Sequence, residues 1–451
     1  MSGAAIALRP GTERGARPAV MPAGGGTRPR FRAGARARTQ DDVLAELCGV
    51  ALATLARSDQ RRHGEAYVRG LLRARGRKSI RNIAGLAGGA APEQSLHHFV
   101  SSSPWDWRPM RQALAHHLVR TLAPQAWVVR PMVIPKAGEN SVGVERRFFP
   151  EAGQVLNAQQ AVGVWAASAY RSAPVSWRLL LSEAWLGDPV RRGQAAIPDT
   201  VRPETRGECA VEAYAGMMRD WGLPVRPLVL DAREPDALAA LHRLRACGVP
   251  VLARVSGSLR LAVSDAPLSG RETRLVPASL VMAGARELRR PVIWRHDPGS
   301  DALGTSLTAG VRVGLPVAQG GAGRGRLREM LLVGMGENAD RWPAELWLTD
   351  LVNVAPATLV RLSGLLHRVD RDFTCVADRV GIRDFTGRSF GGWHRHATLA
   401  SVAHAVALLT PAADPAGDPA ADPAGDDAGV VEGACPPGAD SAPGGAGRRG
   451  R

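Results

Sequence analysis

One stretch, Trp127–Phe148, limits the folds open to this chain more than any other. Trp127-Val128-Val129 and Met132-Val133-Ile134 are apolar and mostly β-branched, the composition of a buried strand. Lys136-Ala137-Gly138 breaks the run, and Ser141-Val142-Gly143-Val144 opens a return strand, so the stretch reads as two strands and a turn. Gln154–Ser168, with Val155, Val162, Val164 and Trp165, predicts a third strand, and Val175–Leu181 a short fourth. The pattern then alternates: a helix over Glu204–Trp221, a strand ending at Asp231, a helix over Ala237–Ala246 and a strand over Val249–Val255. Antiparallel strands followed by helix–strand alternation predict an α/β domain, in the order of a ribonuclease-H-like fold.

The flanking segments read differently. From Gln40 to Leu122 the apolar positions (Val43, Leu44, Leu47, Val50, Leu52, Leu55, then Tyr67, Leu71, Leu72) fall at helical spacings. A basic turn over 73–79 ends in Ser79, a residue able to cap the next helix. That helix carries Ile80, Ile83, Ala84 and Leu86; Gly88-Gly89 breaks it, and Pro92-Glu93 opens another through Leu96 and Phe99. Helix, glycine turn, helix beside arginines outlines a helix-turn-helix, and equally an ordinary helical bundle with a basic surface. Residues 257–345 alternate short apolar runs with Gly and Pro, and strands are expected at Val281–Ala283, Val292–Trp294, Val311–Val313, Met330–Val333 and Leu346–Thr349. Arg271, Arg274, Arg289, Arg290, Arg295, Arg324, Arg326 and Arg328 make that segment basic. Helices are expected over Leu359–Val380 and Ala397–Leu409. The divisions are a basic tail (1–40), a helical domain (41–125), the first part of the α/β domain (126–256), a β-rich insertion (257–345), the closing helices (346–410) and an acidic tail (411–451), both tails disordered by composition.

A length of 451 residues allows two or three domains, and 58 Lys and Arg against 42 Asp and Glu leave a formal charge of +16, nearly all of it from Arg. Such an excess calls for an anionic partner, nucleic acid first. A GC-rich genome would enrich Arg, Ala, Gly and Pro without any such reason. Five scattered cysteines include no CxxC pair, which argues against a disulfide framework and structural zinc and fits a reducing cytoplasm. No apolar run reaches the ~18 residues of a membrane span, and no secretory signal follows the amino-terminal arginines.

Three motifs resemble bacterial insertion-sequence transposases of the DDE superfamily, specifically the insertion sequence 701 family. They are Pro135-Lys136-x-Gly138-x-x-Ser141-Val142-Gly143-Val144-x-Arg146, the strand ending in Asp231, and Gly387-Arg388-Ser389-x-x-Gly392-Trp393-His394-x-His396. The likeness spans roughly residues 55–409 and implies a Mg²⁺-dependent DNA strand-cleaving and strand-transferring enzyme with three carboxylates. It makes Asp231 the second of these and a metal ligand. Arg130 and Pro131 stand where the first acidic pair belongs, and Phe373, Thr374 and Cys375 stand around the third. Arg130 would repel a cation, and the soft Cys375 matches Mg²⁺ poorly. Glu139, Glu145, Asp370, Asp372 and Asp378 are possible replacements.

The resemblance further implies a helical DNA-binding domain, a β-rich lobe in the insertion, and double-stranded DNA as partner, with a homodimer on DNA as one open assembly. Arg77, Lys78, Arg81, Lys136, Arg146, Arg147, Arg388, Trp393 and His394 are the candidate DNA contacts. His394 and His396 could equally pack structurally, and the tryptophans anchor hydrophobic layers more often than they stack on bases. The expected protein is cytoplasmic and nucleoid-associated, with no membrane association: a transposase-family DNA-binding protein with impaired catalysis. An active transposase with relocated carboxylates, a domesticated DNA-binding regulator and a protein–protein scaffold remain the alternatives.

Overall fold

The structure, a computed structural model, describes residues 38–86, 92–149, 153–234, 236–263, 274–295, 303–316, 329–337 and 339–411. The expected tails, apart from residues 38–40 and 411, lie outside these, as do Gly88-Gly89, Arg271, Arg324, Arg326 and Arg328. Five helices come first: α1 (Gln40–Leu52), α2 (Ser58–Arg73), α3 (Ile80–Leu86), α4 (Glu93–Ser101) and α5 (Arg108–Leu122). Thr39 and Asp42 form a reciprocal capping box at the start of α1, which buries Val43, Leu44 and Leu47 on one stripe.

The next strands are β1 (Ala126–Pro135), β2 (Glu145–Phe149), β3 (Gln154–Ala167) and β4 (Ser172–Leu180). Short helices α6 (Glu183–Leu186) and α7 (Pro189–Gln194) lead to α8 (Arg206–Trp221), β5 (Leu228–Ala232), α9 (Ala237–Ala246) and β6 (Val251–Val255). Then come β7 (Arg260–Val263), β8 (Arg274–Pro277), α10 (Ala278–Gly284), β9 (Arg290–Arg295), β10 (Leu303–Gly314), β11 (Glu329–Gly336) and β12 (Glu345–Thr349). The chain closes with α11 (Pro356–Asp372), a π-helical turn over Phe373–Ala377, and α12 (Phe390–Leu409).

All the described strands form one mixed sheet in the order β2-β3-β1-β5-β6-β12-β11-β10-β7-β8, with β4 also on β3 and β9 also on β10. β1, β5 and β6 run parallel, and β3 is antiparallel to β1. The strands between residues 257 and 345 extend this sheet beyond β6 through β12 rather than forming a second one.

Three local expectations are corrected. The stretch 127–148 is not a hairpin: β3 lies between β1 and β2 and pairs with both. Residues 141–144 form a turn that precedes β2. Gly143 holds it at φ +76°, and a Cβ there would meet Leu181 Cδ2 at 2.9 Å. Val281–Ala283 lies in α10, not in a strand, because Pro277 supplies the fixed φ of a helix start. The last helix begins at Phe390, seven residues before its expected start.

β1 runs straight through Pro131. The Trp127 N–H donates to the Pro227 carbonyl, so by two-residue alternation the nitrogen of position 131 also faces β5. Pairing with β5 ends at Val129–Leu230, so the missing N–H of Pro131 interrupts no ladder.

α12 is buried on all sides, packed between α1, α2 and α4 and the β4 side of the sheet. Most of its polar atoms are met by specific partners, His404 Nδ1 being an exception. His396 joins the Tyr67 hydroxyl and the Gly381 carbonyl, each at 2.9 Å, and His404 Nε2 meets the Ser172 carbonyl at 2.8 Å. Ser401 Oγ accepts from Trp177 Nε1. Arg111 of α5, fully buried, donates to Thr398, the Trp177 carbonyl and the His394 carbonyl, all neutral acceptors.

Candidate carboxylate cleft and nucleic-acid interface

The parallel register places the expected metal-site positions side by side. Val129 pairs with Leu230, so the next residues, Arg130 and Asp231, adjoin at the carboxyl-terminal side of that pairing. Asp231 pairs in turn with Arg254 of β6, and Arg254 with Trp347 of β12. α11 packs across β1, β5 and β6 and brings its final turns over Arg130. Two adjacent strands and one helix thus border Arg130 and Asp231.

Its charges are arranged for arginine. The Arg130 Nε donates to Asp370 Oδ1 at 2.8 Å, and its guanidinium lies 3.7 Å from the centroid of the Phe373 ring. Burial pulls the Arg130 pKa down and Asp370 pulls it back up; the group stays charged. Asp231 is clasped by Arg233, with Nε at 2.9 and 3.0 Å from its two oxygens and Nη2 at 2.6 Å. Asp378 pairs with Arg383 at 2.7 Å; burial lifts its carboxyl above the ordinary range and Arg383 opposes the lift. Farther along the sheet, Glu345 accepts from Arg254 and Trp347 and faces His367 of α11. Burial pushes the Glu345 pKa up, but these partners outweigh it and hold the carboxyl below its usual value. The bond to Glu345 raises His367, against burial.

These residues do not fit a pair of Mg²⁺ ions. Mg²⁺ takes near-octahedral oxygen ligands at about 2.0–2.1 Å. Here Asp231 spends both oxygens on Arg233, Asp370 and Asp378 each give one oxygen to an arginine, and Asp378 Oδ1 is left buried without a partner. Arg130 sets a fixed positive charge on the strand next to that of Asp231. Among the described residues, no three His, Cys, Asp or Glu side chains lie close enough to share an ion.

The remaining replacement carboxylates lie elsewhere or serve the fold. Asp372 is buried and accepts from the Ser172 backbone N–H at 2.6 Å and its hydroxyl at 2.8 Å, tying α11 to the start of β4. Glu145 lies on the opposite face of the sheet from Arg130, because Ala158, its β3 partner, and Gly163, the partner of Arg130, differ in parity. There it lines a cleft of about 330 Å³ with Arg147, Gln160, Glu204, Arg206, Glu234 and others. Glu139 is exposed in the turn after β1. Cys375 sits half-buried in the π-helical turn and is not among the free thiols, which include Cys48, Cys209 and Cys247.

The expected DNA contacts divide by exposure. Arg77, Arg81, Arg146, Arg147 and Arg388 are exposed, with Arg147 also bonded to Gln160 at 2.6 Å. Lys136 is half-buried, its Nζ on the Phe385 carbonyl at 2.5 Å, and burial followed by the nearby Arg77 charge brings its pKa down to about 8. Arg77, in the turn between α2 and α3, is thus near the end of β1, where Asp384 also stands close to Lys136.

Lys78, Trp393 and His394 are corrections. Lys78 is buried, its Nζ on the Ala74 carbonyl and its stem against Gly381, where a Cβ would collide with Lys78 Cγ. Trp393 is 1% exposed, and His394 is stacked on Trp107 with ring centroids 4.7 Å apart. Burial and the adjacent Arg111 hold His394 neutral, well below its ordinary pKa. None of the three presents its side chain to a duplex. The clasping arginines, Arg233 and Arg383, were missed; each lies within five residues of its aspartate, the only signal available in sequence.

A family model described as DDE superfamily endonuclease matches residues 51–294, from the end of α1 to β9, and so includes both Arg130 and Asp231. No curated protein matches the chain.

Proposed function

The chain belongs to the DDE superfamily endonuclease family, and from that membership we propose a transposase-type protein that binds double-stranded DNA but has lost metal-dependent strand cleavage. The observation that carries the loss is Arg130 standing beside Asp231 and bridging to Asp370 across Phe373. Two like charges at 4 Å repel by about 1 kcal/mol even in bulk water, and by more where water is partly excluded. Any arriving cation meets that charge as well as aspartates already neutralised.

The strand order β4-β3-β1-β5-β6, with β1, β5 and β6 parallel, supports reading these strands as a ribonuclease-H-like domain, with α1–α5 as the DNA-binding domain and residues 257–345 as an insertion. DNA binding is supported by the exposed Arg77, Arg81, Arg146 and Arg388, by Lys136, and by the formal charge of +16. Binding as a homodimer in the bacterial cytoplasm, on the nucleoid, completes the reading. No described helix is long and apolar enough to cross a membrane.

The test pairs cleavage with binding. Supercoiled plasmid incubated with the protein and Mg²⁺ or Mn²⁺ is expected to show no nicking above that of Asp231→Ala. Affinity for the same plasmid should fall at least about tenfold between 50 and 200 mM salt, as about two or more neutralised phosphates would require. Nicking abolished by Asp231→Ala overturns the loss of catalysis, and an affinity indifferent to salt overturns the DNA reading.

A further inference from the structure

The ribbon formed by β2 and the first residues of β3 carries an apolar pair that no part of the described fold covers. β2 is an end strand of the sheet, and β4 begins to pair with β3 only at Gln160, so the outer ribbon has no other strand beside it. Phe148 and Val155 are direct cross-strand partners, 57% and 54% exposed. Partners across an antiparallel ladder share a face, so Phe148, Val155, Arg146 and Asn157 all lie on one side.

The two faces of the ribbon differ in charge. Ile134 pairs with Gln159, which places β1 positions of even number, and hence Lys136, on the face of Phe148. Arg77 lies near Lys136, so the apolar pair continues into Arg146, Lys136 and Arg77. The opposite face carries Glu145 in the cleft with Arg147, Glu204, Arg206, Glu234 and Asp236, a mixed set in which Arg206 pairs with Glu234 and Arg178 with Glu204. An anionic partner is drawn to the first face, where the arginines and the lysine stand beside the apolar pair.

The geometry points to Phe148, backed by Val155, as a wedge that enters a base step of duplex DNA while Arg146, Lys136 and Arg77 hold the flanking phosphates. This rests on the DNA-binding reading and adds to it a distortion of the DNA. A two-stranded ribbon fits a groove of B-DNA, and an exposed apolar side chain between base pairs unstacks and unwinds the step. The wedge stands apart from the carboxylate cleft: Val155 and Gly163, the partner of Arg130, are eight residues apart on β3, or about 26 Å.

Unwinding needs no knowledge of a target sequence to measure. Relaxed closed-circular plasmid is incubated with protein and a type I topoisomerase, and the change in linking number is read after protein removal. The wild-type chain is expected to shift it. Phe148→Ala should lower the shift at least about fivefold while changing plasmid affinity less than about threefold, and Phe148→Trp should keep it. Phe148 is exposed, so its replacement leaves the core intact; matched circular dichroism and melting temperature check this. Bound plasmid without a linking change, or a Phe148→Ala protein that unwinds as well as wild type, overturns the wedge and spares the DNA reading. Absence of plasmid binding by wild type overturns both. A Phe148→Ala protein that loses self-association in sedimentation while still unwinding DNA assigns the patch to a second copy instead.

Discussion

The carboxylate cleft and the α12 core both gather arginines and histidines, yet they neutralise them in opposite ways. In the cleft the arginines meet carboxylates at the solvent edge: Arg130 with Asp370, Arg233 with Asp231, Arg383 with Asp378. Around α12 the buried cations meet only neutral acceptors. Arg111 uses carbonyls and Thr398, and Arg395 uses the carbonyls of Trp105 and Val100. Exposed ion pairs contribute little, whereas a buried polar group left without its partner costs several times more. The motif around Trp393 therefore holds the fold, and the cleft is where sequence can change cheaply.

Acid should separate the two regions most strongly. Burial pushes His396 and His404 down to about 4 from an ordinary value of 6.5. The unfolded chain takes up these protons below pH 6.5 while the folded chain refuses them until about pH 4. Their stabilisation is therefore complete above pH 6.5 and is lost as pH falls toward 4, by about 3 kcal/mol for each histidine. His367 in the cleft runs the other way: its pKa is raised, so its contribution is present below pH 6.5 and lost above. Urea unfolding midpoints from pH 7.5 to 4.5 should fall steeply, and a flat profile would break the contrast.

Removing apolar volume comes next. Trp393→Ala should cost about 3–5 kcal/mol by denaturant unfolding, the usual range for a buried tryptophan. A loss below about 1 kcal/mol would mean that the residue is not core.

The smallest and sharpest comparison lies within α11, between two acids two positions apart. Asp372→Ala strands the Ser172 N–H and hydroxyl in the interior and should cost about 2 kcal/mol. Asp370→Ala removes an exposed carboxylate from the mostly buried Arg130, which keeps the Pro131 carbonyl and the Phe373 ring, and should cost less, about 1 kcal/mol. Equal losses would erase the distinction between fold-holding and cleft-lining carboxylates.

What could be read from sequence follows the range of the interactions. β5 is legible because a short apolar run ending in a carboxylate is a local signal, although the strand runs one residue past Asp231 to Ala232, and so is α8 from its helical spacing. The β1–β2 misreading arose because two apolar runs around a breaker look the same whether or not a third strand slips between them. The interior place of Trp393 and His394 was hidden by Gly391-Gly392, which looks like a chain break. Gly392 is instead demanded by packing: a Cβ there would meet Ser389 Oγ at 2.6 Å and Phe385 Cζ at 2.8 Å. The apolar run from Ala397 through Val406, with few charges on any side, was the available sign of a helix surrounded by protein. The meeting of Arg254, Glu345 and His367 depends on three elements joined only in the finished sheet, and no spacing could announce it.

The bond between Tyr67 and His396 spans 329 positions of chain. At about 5–20 residues per second of synthesis, α2 leaves the ribosome roughly 15–65 s before its partner helix exists. Throughout that interval α2 has only its neighbours α1, α3 and α4 to pack against, and the Tyr67 hydroxyl waits for its histidine. The amino-terminal helices can therefore gather early, but the side of α2 that meets α12 stays open until the last helix of the chain is made.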